Sequence, residues 1–210
     1  MHVDGKLPPQ PFIWLASRSP RRQELLRQIG IEFRLLAPED GEDTESLEQS
    51  RQGEDAAKYV LRVAIAKVQA GRERLLQRNL QQAPILAADT TVALGGTLLA
   101  KPVDAADAAR MLGMLSGRTH RVLTAIAIAR GTRTIDSAIS VSRVTFARMS
   151  QGVIDRYIAT GEPMDKAGGY GIQGAIARHV RRIQGSYSGI MGLPLYETAR
   201  LLGAAGRSDS

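Results

Sequence analysis

The sequence has no cysteine among its 210 residues. This excludes disulfides, thiolate nucleophiles, zinc–thiolate sites and iron–sulfur clusters together. It also lacks an apolar run near the roughly 20 residues that a membrane-spanning helix requires. Residues 1–6 lack the basic and long apolar segments of a secretory signal. From these absences we expect a cytoplasmic protein with no membrane partner.

Aromatic residues are scarce, at 4% of the chain, which argues against a protein that binds single-stranded nucleic acid by base stacking. Positive charge is in excess, because 28 Lys and Arg stand against 21 Asp and Glu, giving a net charge of +7. Such a surplus attracts anions, including nucleic acid and phosphorylated metabolites. A solvated, arginine-rich surface explains the charge as well, so charge alone selects no function.

Short apolar runs alternate with amphipathic segments, which indicates an α/β fold. The length and pattern predict one domain over residues 12–203, with a flexible leader (1–11) and a flexible tail (204–210). Residues 176–183 fit either a helix or a strand, and glycines 95–96 predict a hairpin turn. The predicted strands cover 12–16, 84–88, 122–129 and 135–146, and the predicted helices cover 21–29, 56–80, 105–116, 151–160 and 195–202.

The turn between the first strand and the first helix is rich in hydrogen-bond donors. Residues 17–22 read SRSPRR, with Ser19 as the predicted N-cap. The free N–H groups and the dipole of a helix N-terminus favour an anion. We therefore expect Ser17, Arg21 and Arg22 to bind phosphate. The alternative is a capped surface helix whose arginines extend into solvent.

Acidic residues supply the second set of candidates. Asp89 follows the apolar run 84–88 and is predicted to end a strand, where ligand sites of α/β sheets collect. A carboxylate there accepts a proton from water or binds a divalent cation, and both roles suit phosphoryl chemistry. The alternative is that Asp89 caps a turn at Thr90 and Thr91. Solvent exposure is the default for Glu42, whereas the turn at 161–163 leaves two options open for Asp165–Lys166, a cleft or water.

Two phosphate-binding motifs are matched only superficially. Residues 169–174 read GYGIQG, but no strand precedes them and no acidic residue follows about 20 positions later, as a dinucleotide site requires. Residues 113–119 resemble a P-loop with one residue too few and Arg in place of Lys. We reject both.

Four ordered blocks resemble the Maf family of nucleoside triphosphate pyrophosphatases, and together they cover nearly all of the chain after residue 12. The blocks are LASRSPRRQELL (15–26); AADTTV (87–92) with Lys101–Pro102; GRTHRV (117–122); and YIATGEPMDKAGGYGIQG (157–174) followed by GSYS (185–188) and GLPL (192–195). The chain departs from the family pattern at Arg18, Gly41 and Gly189.

The resemblance implies a homodimer whose mixed, twisted sheet is flanked by helices, with two lobes around a central cleft as in inosine triphosphatases. It implies hydrolysis of a nucleoside triphosphate to monophosphate and pyrophosphate with a divalent cation, Mg²⁺ or Mn²⁺, and it implies no nucleic acid partner. By matching position, Asp89 is the proton acceptor and a metal ligand, and Glu42 is a second metal ligand. The remaining cleft residues implied are Lys67 and Lys101 for catalysis, and Ser17, Arg21, Arg22, Thr90, Asp165, Lys166 and Gln173 for substrate binding.

The form DKAG followed by YGIQG resembles the branch of the family that acts on dTTP and UTP. The amide of Gln173 offers one donor and one acceptor, which complement the N3–H and O4 edge of uracil or thymine. Two alternatives stay open from the sequence. One is a 7-methyl-GTP pyrophosphatase of the same family, and the other is a non-catalytic, nucleic-acid-binding regulator of cell division.

Overall fold

The computed structural model describes residues 12–39, 42, 46–131 and 134–203. The predicted leader and tail lie outside these residues, and the single-domain assignment stays a prediction. Within the described part, no helix is long and apolar enough to cross a membrane.

The strands are β1 (Ile13–Leu15), β2 (Phe33–Leu35), β3 (Ile85–Leu94), β4 (Thr97–Leu99), β5 (Thr119–Arg130), β6 (Thr134–Phe146) and β7 (Val180–Gln184). The α-helices are α1 (Pro20–Gln28), α2 (Ala56–Gln77), α3 (Ala105–Leu115), α4 (Gln151–Ile158), α5 (Tyr187–Met191) and α6 (Leu195–Gly203). Short 3₁₀ helices cover Ser46–Glu48, Glu162–Asp165, Ala167–Gly169 and Ala175–His179.

The strands form one mixed sheet in the order β2-β1-β3-β5-β6-β7, with β4 paired to β3. β1 is parallel to β2 and β3, whereas β3, β5, β6 and β7 pair antiparallel. Small residues such as Ala87 and Ala125 let α2 pack closely on one face. Leu86 and Ile126 face α1 and α6 on the other, because successive side chains of a strand point to opposite faces. The predicted α/β fold, a mixed sheet flanked by helices, is confirmed.

A second apolar cluster supports the other side of the molecule. It joins α3 and α4 to the far end of the sheet through Leu112, Leu115, Val144, Phe146 and Ile154. Asp104 begins α3 by accepting a hydrogen bond from the Asp107 N–H at 2.7 Å. The ambiguous segment 176–183 contains both a 3₁₀ helix and the edge strand β7.

β3 differs most from its predicted form. It is one continuous strand of ten residues, where the sequence predicted a strand that ends at Asp89 and a separate hairpin arm over 92–94. Thr90 and Thr91 pair in register with Thr124 and Leu123 of β5, so the predicted strand end at Asp89 is wrong, and so is the alternative of a turn at Thr90 and Thr91. Asp89 and Thr90 contact tertiary partners instead, Lys67 on α2 and Thr124 on β5. The hairpin between β3 and β4 is confirmed.

The unequal lengths of β1 and β3 create the space for a site. Leu15 pairs with Leu86, and the Ala16 N–H donates to the Leu86 carbonyl at 2.8 Å. The chain then leaves the sheet toward α1, while β3 continues to Leu94. Asp89 therefore lies in the middle of its strand, beside the point where the neighbouring strand has ended.

Candidate active site

A cavity of about 470 Å³ opens at this gap in the sheet. Its walls come from the β1–α1 turn, α2, β3, the residues after β4 and the segment 165–173. Predicted site residues from all parts of the chain share this hollow, which we call the cleft: Ser17, Arg21, Arg22, Lys67, Asp89, Thr90, Lys101, Asp165, Lys166 and Gln173.

The floor of the cleft carries two carboxylates and two ammonium groups in alternation. Asp89 is 6% exposed, and its Oδ1 lies 2.6 Å from Lys67 Nζ on α2. The same Nζ lies 2.7 Å from Glu48 Oε1, and Glu48 Oε2 lies 3.0 Å from Lys101 Nζ. Asp55 fixes the start of α2 by accepting from the Ala57 N–H at 2.8 Å, which holds the helix that presents Lys67.

Glu42, the predicted second metal ligand, lies outside the cleft lining. Its carboxylate accepts hydrogen bonds from Arg74, whose Nε is 3.0 Å from Oε1, and from Arg78. Arg74 is 4% exposed and also donates to the Leu36 carbonyl at 3.0 Å, so Glu42 neutralises a buried guanidinium. Glu48, not Glu42, is the glutamate beside Lys67 in the cleft. The sequence offered several acidic residues between 39 and 55, and a loop has no period that singles out one of them.

The wall formed by the β1–α1 turn is cationic. Arg22 donates through Nε to the Gly192 carbonyl at 2.9 Å and through Nη1 to Ser17 Oγ at 3.1 Å. Ser19 takes the extended backbone of an N-cap but makes no side-chain cap hydrogen bond. Its own N–H donates to Ser17 Oγ at 3.2 Å. Ser17 therefore organises this turn, and the hydroxyl of Ser19 is not used to cap α1.

The wall opposite the β1–α1 turn is formed by residues 165–173, which include the predicted substrate-binding residues Asp165, Lys166 and Gln173. Arg21 Nη2 reaches across to Asp165 Oδ2 at 3.6 Å, and Lys166 Nζ lies 2.6 Å from Asp165 Oδ1. Gln173 is exposed and lines the cleft. Thr90 Oγ1 lies 2.9 Å from Thr124 Oγ1, so the Thr90 side chain is held against the neighbouring strand β5.

The two carboxylates on the floor differ in basicity. Burial raises the pKa of Asp89 above its ordinary 3.8, and the ammonium of Lys67 opposes this only in part. Burial also opposes ionisation of Glu48, but Lys67 and Lys101 outweigh it and lower the pKa of Glu48 to about 2. Asp89 is thus the better proton acceptor, and Glu48 is a permanent negative charge.

The floor also fits a divalent cation. No group of three or more His, Cys, Asp or Glu side chains that could hold a metal occurs among the described residues. Mg²⁺, however, is commonly bound by one or two carboxylates together with waters and substrate phosphates. Asp89 and Glu48 both contact the same Lys67 ammonium, so their hard oxygen donors already converge on one positive charge.

The Maf-like protein family matches residues 12–205. The chain belongs to the Maf family. It is 54% identical over 200 residues to the dTTP/UTP pyrophosphatase of Polaromonas sp. (strain JS666 / ATCC BAA-500), covering 95% of this chain and 98% of that one. It is 56% identical over 197 residues to the dTTP/UTP pyrophosphatase of Ralstonia nicotianae, covering 94% and 95%. Among solved structures, a HAM1 protein from Coxiella burnetii matches 92% of this chain and 99% of its own at 19% identity, with a TM-score of 0.49.

Membership of the Maf family confirms the resemblance seen in the four sequence blocks. Two cleft residues of this Maf protein had no sequence signal beyond their residue type. Glu48 belongs to the acidic connection before α2, and Tyr59 lines the cleft and donates its hydroxyl to the Glu48 carbonyl at 2.8 Å. Tyr59 therefore holds the 3₁₀ helix Ser46–Glu48 against α2, which brings Glu48 into the site.

Proposed function

We propose that this Maf protein hydrolyses dTTP and UTP to the nucleoside monophosphate and pyrophosphate. One observation carries the proposal. A buried carboxylate, Asp89, lies on the floor of a cleft between a cationic wall and a wall that presents Gln173. Relatives more than half identical over nearly the whole chain carry the name dTTP/UTP pyrophosphatase, which supports the choice of substrate.

The proposed chemistry is attack of water on the α-phosphorus. Asp89 accepts a proton from the attacking water while the water oxygen bonds to the α-phosphorus. The raised pKa of Asp89 suits that role. The bond from the α-phosphorus to the bridging oxygen breaks, and pyrophosphate leaves with the bonding electrons. The products are the nucleoside monophosphate, pyrophosphate and the proton held by Asp89.

Positive charge in the cleft favours this reaction, because negative charge grows on the leaving pyrophosphate. Arg22 and the donors of the β1–α1 turn are proposed to bind the phosphates. Lys67 and Lys101 lie on the floor of the cleft and supply two ammonium groups. A divalent cation, Mg²⁺ or Mn²⁺, would be held by Asp89 and Glu48, and when bound it lowers the pKa of water and neutralises phosphate charge.

Gln173 is proposed to read the base. Its amide can accept from the N3–H and donate to the O4 of uracil or thymine. Cytosine reverses this pattern, because it has an unprotonated N3 and an amino group at C4. A site built on such hydrogen bonds rejects a base that leaves its polar groups unpaired. Arg21 and Thr90 are proposed to contribute to the same choice from the neighbouring parts of the cleft.

A panel of nucleotides with Mg²⁺ or Mn²⁺, followed by identification of the products, tests the function. We expect dTTP and UTP to give dTMP and UMP with pyrophosphate, faster than CTP or 7-methyl-GTP. Preference for 7-methyl-GTP would overturn the substrate assignment. No turnover of any nucleotide, with tight and salt-sensitive DNA binding, would favour the regulator instead.

We also propose that the protein is a homodimer and lies in the cytoplasm. Analytical ultracentrifugation at several protein concentrations measures its mass in solution and tests the homodimer.

A further inference from the structure

Gln173 is the exposed residue of a tight turn whose Ile172 is buried in the second apolar cluster. The turn covers residues 171–174, and the Gly174 N–H donates to the Gly171 carbonyl at 2.9 Å. Gln173 is the third residue of the turn, and it faces the cleft. The exposed side chain of Gln173 can rotate about its own bonds, so base reading depends first on how firmly the turn holds its backbone.

Two side chains behind the turn provide that constraint. Tyr157, at the end of α4, is buried, and its hydroxyl accepts from the Gly171 N–H at 3.2 Å. The same hydroxyl donates to Glu162 Oε1 at 2.9 Å, and Glu162 Oε2 accepts from the Ala175 N–H at 3.3 Å. Tyr157 and Glu162 thus hold both ends of the turn, and we call this pair the bracket.

The glycines of the turn fit the bracket closely. A Cβ at Gly174 would overlap the carboxylate of Glu162, and one at Gly171 would lie 3.0 Å from Lys166 Cε and 3.2 Å from Glu162 Oε1. Neither φ angle is positive, so space and not backbone strain is the reason for glycine here. The last two glycines of the rejected dinucleotide motif therefore make room for Glu162.

We propose that Tyr157 and Glu162 are positioning residues that set the pyrimidine selectivity of the cleft by fixing the turn that carries Gln173. The inference rests on the proposed function, since it assumes that Gln173 reads the base. Neither residue is among those that line the cleft, so both act through the turn. Loosening the bracket should weaken base discrimination while leaving the phosphate chemistry near Asp89 intact.

The variant Tyr157→Phe removes one hydroxyl and both of its hydrogen bonds. We expect KM for UTP to rise about fivefold, as befits the loss of a buried hydrogen bond, with kcat changed less than about twofold. The ratio of kcat/KM for UTP to that for CTP should fall by about the same factor. Ser116→Ala is the matched control, because Ser116 Oγ also accepts a backbone N–H, that of Met149 at 2.7 Å, away from the cleft. It should leave both KM and the ratio unchanged.

A double-mutant cycle with Gln173→Ala separates positioning from general loosening. Once Gln173 is absent, Tyr157→Phe should no longer alter the UTP to CTP ratio. An equal loss in both backgrounds, or an unchanged ratio in the single variant, would overturn the inference. If Tyr157→Phe does not fold, Glu162→Gln, which keeps the shape but loses one acceptor, takes its place in the cycle. Wild-type enzyme that does not prefer UTP to CTP would overturn the proposed base reading itself, and this inference with it.

Discussion

Asp89 and Glu48 contact the same ammonium, yet their pKa values move in opposite directions. Asp89 is more deeply buried, and burial raises its pKa. Glu48 contacts two lysines, which lower its pKa to about 2. One carboxylate is therefore suited to accept a proton, and the other to hold a cation without competing for protons.

Because Glu48 lines the cleft and Glu42 does not, we expect different outcomes for two conservative variants. Glu48→Gln should weaken Mn²⁺ binding by at least about tenfold, since even second-shell changes at metal sites commonly cost that much. Glu42→Gln, the control, should leave Mn²⁺ affinity and turnover near wild type, because Glu42 does not line the cleft and contacts the guanidinium of Arg74, not Lys67. Mn²⁺ titration followed by electron paramagnetic resonance measures both. Equal loss in the two variants would contradict the assignment of Glu48.

The raised pKa of Asp89 predicts the acidic side of the pH profile. A proton acceptor must be ionised, so kcat/KM should fall as the pH falls through the pKa of Asp89, at a midpoint above the ordinary 3.8. Glu48 should contribute no step in this range, because its pKa is about 2. Initial rates across the acidic range measure the midpoint, with circular dichroism confirming that the protein stays folded. Because a bound cation lowers the pKa of a carboxylate ligand, the midpoint is measured at several Mg²⁺ concentrations and extrapolated to zero. An extrapolated midpoint at or below 3.8 would contradict the role given to Asp89.

At the scale of elements, helix starts that look alike in sequence differ in structure. Asp104 accepts a hydrogen bond from the Asp107 N–H at the start of α3, whereas Ser150 makes no side-chain cap at the start of α4. Asp104→Ala should therefore lower the free energy of unfolding by about 1 kcal/mol. Ser150→Ala is the matched control and should change it by much less. Urea denaturation measures both, and equal effects would contradict the difference in capping.

The sequence predicted helices and strands correctly where apolar periodicity was strong or where glycines marked a turn. The helix over 56–80 and the hairpin at glycines 95–96 appear as α2 and the β3–β4 turn. The strand end predicted at Asp89 was wrong, because pairing with β5 continues through Thr90 and Thr91 and outweighs the local preference of these polar residues for turns. The position of Glu48 depends on Tyr59 and Lys67, which a loop sequence does not reveal. The residues themselves pointed to Asp89 and to the donors of the β1–α1 turn. Only the resemblance assigned roles to the other cleft residues, Lys67, Thr90, Lys101, Asp165, Lys166 and Gln173.

At the scale of the molecule, the net charge of +7 and the cationic cleft wall act together on an anionic substrate. Salt screens such attraction, with a Debye length of about 10 Å at 0.1 M and about 3 Å at 1 M. Raising NaCl from about 0.05 M to about 0.5 M should therefore lower kcat/KM for UTP roughly tenfold. kcat at saturating UTP should change little. Steady-state kinetics at constant free Mg²⁺ measures this, and a salt-independent kcat/KM would contradict it.

The fold brings distant segments of the chain around one buried carboxylate, and the direction of attack by water is the most direct test of what that arrangement does. UTP should be hydrolysed in ¹⁸O-labelled water by wild-type enzyme and by Asp89→Asn. Mass spectrometry then shows which product contains the label. The variant should fold normally but turn over at least about a hundredfold more slowly. For the wild type, we expect the label in UMP and none in pyrophosphate. Label in pyrophosphate, or in free phosphate with UDP as the other product, would contradict attack at the α-phosphorus.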